Sequence, residues 1–133
     1  MPNPSRKPSD VLQEAVLSNI EKFPNDFWVF HFGDAVHLSA ESPWRLVSPA
    51  LIVVTREDDG QKFGLETPVN AEAELRQILI GRRVTFVDVN SATSDLRIGF
   101  DSGVVLKIVN LSSGYESWTL NHNDGFIWVG RNS

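Results

Sequence analysis

Between Ser94 and Leu120 the apolar side chains fall on every second position. Leu96, Ile98 and Phe100 share one face of an extended segment, and Asp95, Arg97 and Gly99 share the other. Asp101-Ser102-Gly103 then reads as a three-residue hairpin loop in which Gly103 takes the left-handed conformation. On the return, Val104, Leu106 and Ile108 alternate with Val105, Lys107 and Val109, the division expected of a half-buried strand. A polar loop over 110–114 leads to a strand carrying Trp118 and Leu120, and a short apolar strand over 126–129 ends at Gly130. The C-terminal third therefore reads as a meander.

A fainter version of the same pattern occurs earlier. Trp28, Phe30 and Phe32 alternate with Phe27, Val29 and His31, Gly33-Asp34 turns the chain, and Val36, Leu38 and Ala40 bring it back. With the two hairpins superposed as sequence, Phe32 meets Phe100 and Leu38 meets Leu106 without a gap. After a shorter connection Trp44-Arg45-Leu46 answers Trp118-Thr119-Leu120, and Leu51 to Val54 answers Phe126 to Val129.

Helical periodicity precedes each hairpin. Asp10 and Gln13 have capping-box spacing, and Leu12, Val16, Leu17 and Ile20 form a stripe that predicts a helix to about Lys22, ended by Pro24-Asn25-Asp26. A second helix is signed by Asn70 as N-cap, Glu72 and Glu74 in its first turn, Leu75, Ile78 and Leu79 on its apolar face and Gly81 as its stop. Val84 to Val89 is an additional strand followed by a turn over 90–94. Residues 1–8, with three prolines, read as a loose arm. These elements describe one α+β domain over 1–133: antiparallel sheet or sheets built of hairpins, with two covering helices. Residues 9–55 and 70–130 form candidate helix-hairpin-hairpin half-repeats, with chance agreement among short alternating strands as the competing explanation.

A chain of 133 residues, 41% hydrophobic and 22% charged, suffices for one core. The formal charge of −5 argues against nucleic acid or an anionic membrane as the principal partner, since both reward concentrated Lys and Arg. The absence of cysteine removes disulfides, thiolate nucleophiles and thiolate metal ligands. Gln13, Glu14, Ser18 and Asn19 interrupt the apolar residues between 11 and 20, so neither a signal peptide nor a membrane span is expected. The expectation is a soluble cytoplasmic protein.

Asp95, Leu96, Ile98, Phe100, Gly103, Leu106, Ile108, Asn110, Ser112, Ser113, Gly114, Tyr115, Glu116 and Trp118 together spell a DL.I.F..G..L.I.N.SSGYE.W pattern. In this the second half resembles an uncharacterised family of small bacterial proteins. Trp44-Arg45-Leu46 and the segment 59–65 extend the resemblance upstream through shorter motifs. Some similar proteins look like immunity or accessory proteins encoded near toxins, which implies a class of partner and no catalytic residue.

Candidate chemistry is sparse. A three-residue loop at 33–35 would set His31 directly across from His37 on the outer face of the first hairpin, but the third ligand that a divalent metal needs is missing. Ser112-Ser113-Gly114-Tyr115-Glu116 has hydroxyls and a carboxylate without a base beside a nucleophile turn, so loop packing explains it better than hydrolysis. The charged run 56–62 reads as a solvated turn, and Arg82-Arg83 as the answer to a helix C-terminus. Trp28, Trp44, Trp118 and Trp128 are mostly core, and one left exposed would be an interface anchor.

The leading reading is a non-enzymatic domain that binds another protein, such as a basic toxin, or its own copy, without cofactor or metal and without nucleic acid or membrane. The alternative is a small-ligand binder or enzyme with a pocket between helix and sheet. His31, His37, Arg45, Tyr115, Glu116 and Trp118 are the candidate ligand- or partner-binding residues, with Trp118 also continuing the apolar face of the strand.

Overall fold

The computed structural model describes residues 7–125 and 127–130. Its elements are α1 (Pro8–Leu12), β1 (Asn19–Phe23), β2 (Phe27–Phe32), β3 (Val36–Ala40), β4 (Trp44–Val47), β5 (Ile52–Thr55), a 3-10 turn (Arg56–Asp58), α2 (Ala71–Leu79), β6 (Val84–Val89), β7 (Leu96–Phe100), β8 (Val105–Ile108), β9 (Trp118–His122) and β10 (Ile127–Gly130). The strands form two five-stranded antiparallel sheets, ordered β1-β2-β3-β9-β10 and β5-β4-β8-β7-β6. The chain is broadly α+β, and mostly sheet. The expected loose arm lies outside the described residues except for Lys7 and Pro8, and Pro8 opens α1.

Both expected hairpins form. Phe32 pairs with Val36, Phe30 with Leu38 and His31 with His37. In the later hairpin Ile98 pairs with Leu106, and the Phe100 N–H donates to the Val104 carbonyl at 3.0 Å. Each loop thus has three residues, but the left-handed glycine is the first residue of one, Gly33 at φ 69°, and the last of the other, Gly103 at φ 90°.

The meander is corrected. β8 and β9 are not neighbours: the connection after Ile108 leaves one sheet for the other, and the connection from β3 to β4 does the same in reverse. β9 pairs with β3, placing Leu120 beside Leu38 and Trp118 beside Ala40. β4 pairs with β8, placing Leu46 beside Leu106 and Trp44 beside Ile108. Alternation states which face a residue takes and is silent about the neighbouring strand.

The long first helix is also corrected. α1 ends at Leu12, and Glu14 turns the chain with φ 69°. The next residues run antiparallel to 82–84: Leu17 N–H donates to Arg82 O at 3.0 Å and Val84 N–H to Ala15 O at 2.8 Å. Asn19–Phe23 is then a strand, paired with β2 through a turn whose Asn25 and Asp26 have φ 66° and 56°. Spacing by four residues keeps a side chain on one face of a strand as well as of a helix, so Leu12, Val16 and Ile20 satisfied both patterns. Leu12, Leu17 and Ile20 are buried and Val16 is exposed.

α2 forms as expected. Asn70 Oδ1 accepts from the Ala73 N–H at 3.0 Å, and Ala71, Leu75 and Leu79 are buried. The helices do not cover the sheets. α2 packs along β1 and β5 and α1 along β6, all edge strands, while the two sheets bury each other's inner faces. Trp28 of one sheet meets Trp44 of the other edge to face, with ring centroids 4.9 Å apart. Trp118 is buried, donates from Nε1 to Ser94 O at 2.8 Å, and lies against Gly130, where a Cβ would fall 1.9 Å from that nitrogen.

Ion pairing fixes α2 to β1. Lys22 Nζ lies 2.5 Å from Asp59 Oδ2, and Asp59 Oδ1 accepts from the Ala71 N–H at 2.9 Å. Further along the helix, Arg76 Nη2 donates to Ile20 O at 2.6 Å. Burial pushes the Asp59 carboxyl up, but hydrogen bonds from Lys22 and the Ala71 N–H outweigh it and hold the group below its ordinary value. The hydrogen bond to Asp59 raises Lys22, against an opposing effect of burial.

Two predictions follow from these contacts. Stability contributed by Asp59 is present above the ordinary carboxylate range and declines as pH falls through its lowered pKa, while that of Lys22 is present at neutral pH and declines as pH rises through its raised one. Asp59→Asn should therefore flatten both limbs of a melting-temperature profile, by about 1 kcal/mol or less once solvent screening of a lysine side chain 35% exposed is allowed for. Trp118→Ala should cost about 3–5 kcal/mol in urea denaturation, because it empties core volume, and Gly130→Ala should destabilise by forcing the same indole to move.

Candidate functional site

The two connections that exchange sheets lie side by side. Glu41 N–H donates to Ser117 O at 2.9 Å and Val109 N–H donates to Pro43 O at 3.0 Å, so each crossing segment holds the other. Beside them opens a cleft of about 420 Å³ lined by Glu41, Pro43, Arg56, Leu111, Tyr115 and Glu116, among others.

The second crossing loop has an ordered backbone. Asn110 N–H donates to Asp95 Oδ1 at 2.8 Å, and its side-chain amide donates to Thr93 O at 2.7 Å. Ser112 Oγ accepts from the N–H groups of Gly114 and Tyr115 at 3.1 and 2.9 Å, a turn of the kind short hydroxyl residues favour. Ser117 Oγ, buried, lies 2.8 Å from Gly130 O. These hydroxyls serve the loop itself. The loop presents two large apolar side chains outward, Leu111 at 71% and Tyr115 at 82% exposure, beside the exposed Ser113 and Glu116. Arg56 supplies a cation, with Nη1 donating to Glu41 O at 3.3 Å and Nε to Glu57 Oε1 at 3.0 Å. Such a cleft offers a ligand an aromatic, an aliphatic and a guanidinium paired with Glu57, beside the carboxylates of Glu41 and Glu116.

Tyr115 and Glu116 are thus brought together. Arg45 borders a neighbouring hollow of about 200 Å³ that includes Ile52 and Val109 and shares Pro43 with the cleft. Trp118 is separated from them by its burial: at 2% exposure it is packing, and no partner reaches it. Arg56 and Leu111 were not among the sequence candidates. Arg56 sat in a run that reads as a solvated turn, and Leu111 carries no pattern beyond an apolar residue in a polar loop.

His31 and His37 lie on the outer face of the other sheet as expected, and sequence reading missed their third partner, Glu21, by assigning it to a helix. His31 Nδ1 and His37 Nδ1 are 2.7 Å apart, His31 Nε2 lies 2.6 Å from Glu21 Oε1, and His37 Nε2 lies 3.2 Å from Asp34 O. Carboxylate and carbonyl oxygens accept, so both Nε2 atoms are placed to donate.

Among the described residues no group of three His, Asp or Glu side chains is arranged to hold a metal. Among the same residues no helix is long and apolar enough to cross a membrane. No protein-family model, curated protein or solved structure matches the chain.

Zinc should bind this histidine pair no tighter than roughly micromolar, since a metal held by both Nδ1 atoms at about 2.0–2.1 Å must push them apart from their 2.7 Å separation. Calorimetric titration of the wild type and His37→Ala checks this, with submicromolar binding lost in the variant as the contrary result.

Proposed function

We propose that this chain is a non-enzymatic protein-binding domain, acting on another protein or on its own copy, in the cytoplasm. An immunity-like role is what the resemblance to small bacterial proteins encoded near toxins would add. The observation that carries the reading is the pairing of Leu111 and Tyr115, 71% and 82% exposed, on a loop whose backbone is already hydrogen-bonded. Apolar side chains held in place lose little freedom on association, and tyrosine beside arginine is the composition of interface anchors. Ser112 and Ser117 are committed to the loop, which leaves binding as the chemistry on offer.

A small ligand is the second reading, favoured by a cleft volume of about 420 Å³, within the roughly 300–1,000 Å³ of ligand pockets. That cleft lies between two crossing loops, not between helix and sheet, and Arg56 would be its anion-binding group.

We also infer that the two halves, 9–55 and 70–130, are copies of one unit. Supporting this, the row Ile20-Phe30-Leu38-Leu120-Trp128 across one sheet has its counterpart in Val87-Ile98-Leu106-Leu46-Val54 across the other. The bond pairs joining 15–17 to 82–84, and those joining 41–43 to 109–117, are likewise reciprocal.

The double variant Leu111→Ser/Tyr115→Ser should keep the wild-type melting temperature within about 2 °C, as exposed positions do, while losing self-association in sedimentation velocity or a specific band in cross-linked pull-downs. An unchanged sedimentation profile together with an unchanged pull-down would overturn the assignment. Binding of a metabolite in a thermal-shift screen, abolished by Arg56→Ala, would support the small-ligand reading instead.

A further inference from the structure

We propose that the outer face of the sheet β5-β4-β8-β7-β6 docks an acidic, partly apolar segment of another protein. Directly across this face runs the row Thr55-Arg45-Lys107-Arg97-Asp88, one residue from each strand. Arg97 is paired with Asp88 at 3.3 Å. Arg45 and Lys107 have no acidic partner among the described residues, although they lie directly opposite each other on adjacent strands. Like charges in that relation destabilise a sheet.

The fold does not require these cations. The corresponding row of the other sheet is Glu21-Val29-Ser39-Thr119-Val129, in register through every pair of strands. There Val29 stands where Arg97 stands, Ser39 where Lys107 stands and Thr119 where Arg45 stands, and the sheet forms without charge at those places. In a chain of net charge −5, three basic residues are concentrated on a face that would be stable without them.

The next row gives the rest of the chemistry. Ile52, Val47, Val105 and Gly99 lie in line, with the ring of Phe86 over Gly99, where a Cβ would fall 2.0 Å from the ring. Ile52 and Leu51 at the rim are 53% and 61% exposed. A cationic row beside an apolar one complements carboxylates interspersed with apolar side chains, which a polypeptide supplies. A nucleic acid would meet three cations on an otherwise acidic protein, too few to offset the net charge. At contact, within a Debye length of about 10 Å at 0.1 M salt, the local row governs attraction. The face continues into the cleft through Pro43, so this inference rests on the protein-binding reading and adds the partner's chemistry.

The test is fluorescence anisotropy with three labelled probes: a peptide alternating Glu and Val, its Lys and Val counterpart, and oligothymidylate. The variant is Arg45→Thr/Lys107→Ser, which installs the residues of the other sheet. The acidic peptide should bind the wild type, more weakly as salt rises. It should bind the variant at least about tenfold more weakly, the size of effect that removing contact charges gives. The variant's melting temperature should equal or exceed that of the wild type, since a repulsion is relieved. Failure of the acidic peptide to bind, equal binding of the basic peptide or of oligothymidylate, or unchanged affinity in the variant would overturn the proposal. So would a fall of several degrees in the variant's melting temperature, which would make the cations structural. If the acidic peptide does not bind while Leu111→Ser/Tyr115→Ser still abolishes association, the protein-binding reading survives and this partner chemistry does not.

Discussion

Neither sheet can be completed from one half of the chain. β3 must find β9, and β8 must find β4, before either five-stranded sheet exists. The core between the sheets holds a contact within the N-terminal half, Trp28 against Trp44, and is completed by Leu120 beside Leu38 and Leu106 beside Leu46, which join the two halves. The same exchange places the cleft. Where the backbone leaves one sheet for the other it cannot keep its ladder bonds, so polar side chains and the opposite crossing segment take them over. Asn110, Ser112 and Ser117 do this on one side, and the loop they order is the one that carries Leu111 and Tyr115 outward.

What could be read from sequence was local and periodic. The His31-His37 register followed from a loop of known length and a side-chain period of two, and α2 followed from an N-cap and a stripe that a strand could not share. β1 was misread because its spacing fits both periods and the Pro24-Asn25-Asp26 turn can end a helix or make a hairpin. The exchange of strands between sheets left no local mark at all. For the candidate site, Tyr115, Glu116 and Arg45 were legible as exposed polar or aromatic residues, whereas Arg56 joined them only through a contact distant in sequence, and Glu21 disappeared with the misassigned helix. Trp118 was legible as core from its alternation with Leu120, and the indole N–H to Ser94 O bond completes that reading.

The two outer faces carry separate chemistry on closely matching frameworks. One sheet carries the facing pair His31 and His37, and the other carries the facing pair Gly99 and Val105. One row over, charge is nearly absent from the first sheet and concentrated on the second. Inner positions are held to apolar residues by packing, while outer positions are not constrained in that way.

The exchange also sets an order for synthesis. Ser39 and Thr119, neighbours in the finished sheet, are 80 residues apart in the chain. On a ribosome adding ~5–20 residues per second, β3 waits on the order of 4–16 s for its partner. Throughout that interval the β3 edge of a three-stranded N-terminal sheet lacks its partner strand. β9 of a second chain would meet that edge with the same register, Leu120 against Leu38. Crowded translation of this protein on one messenger would thus favour domain-swapped dimers, and slow initiation would favour the monomer.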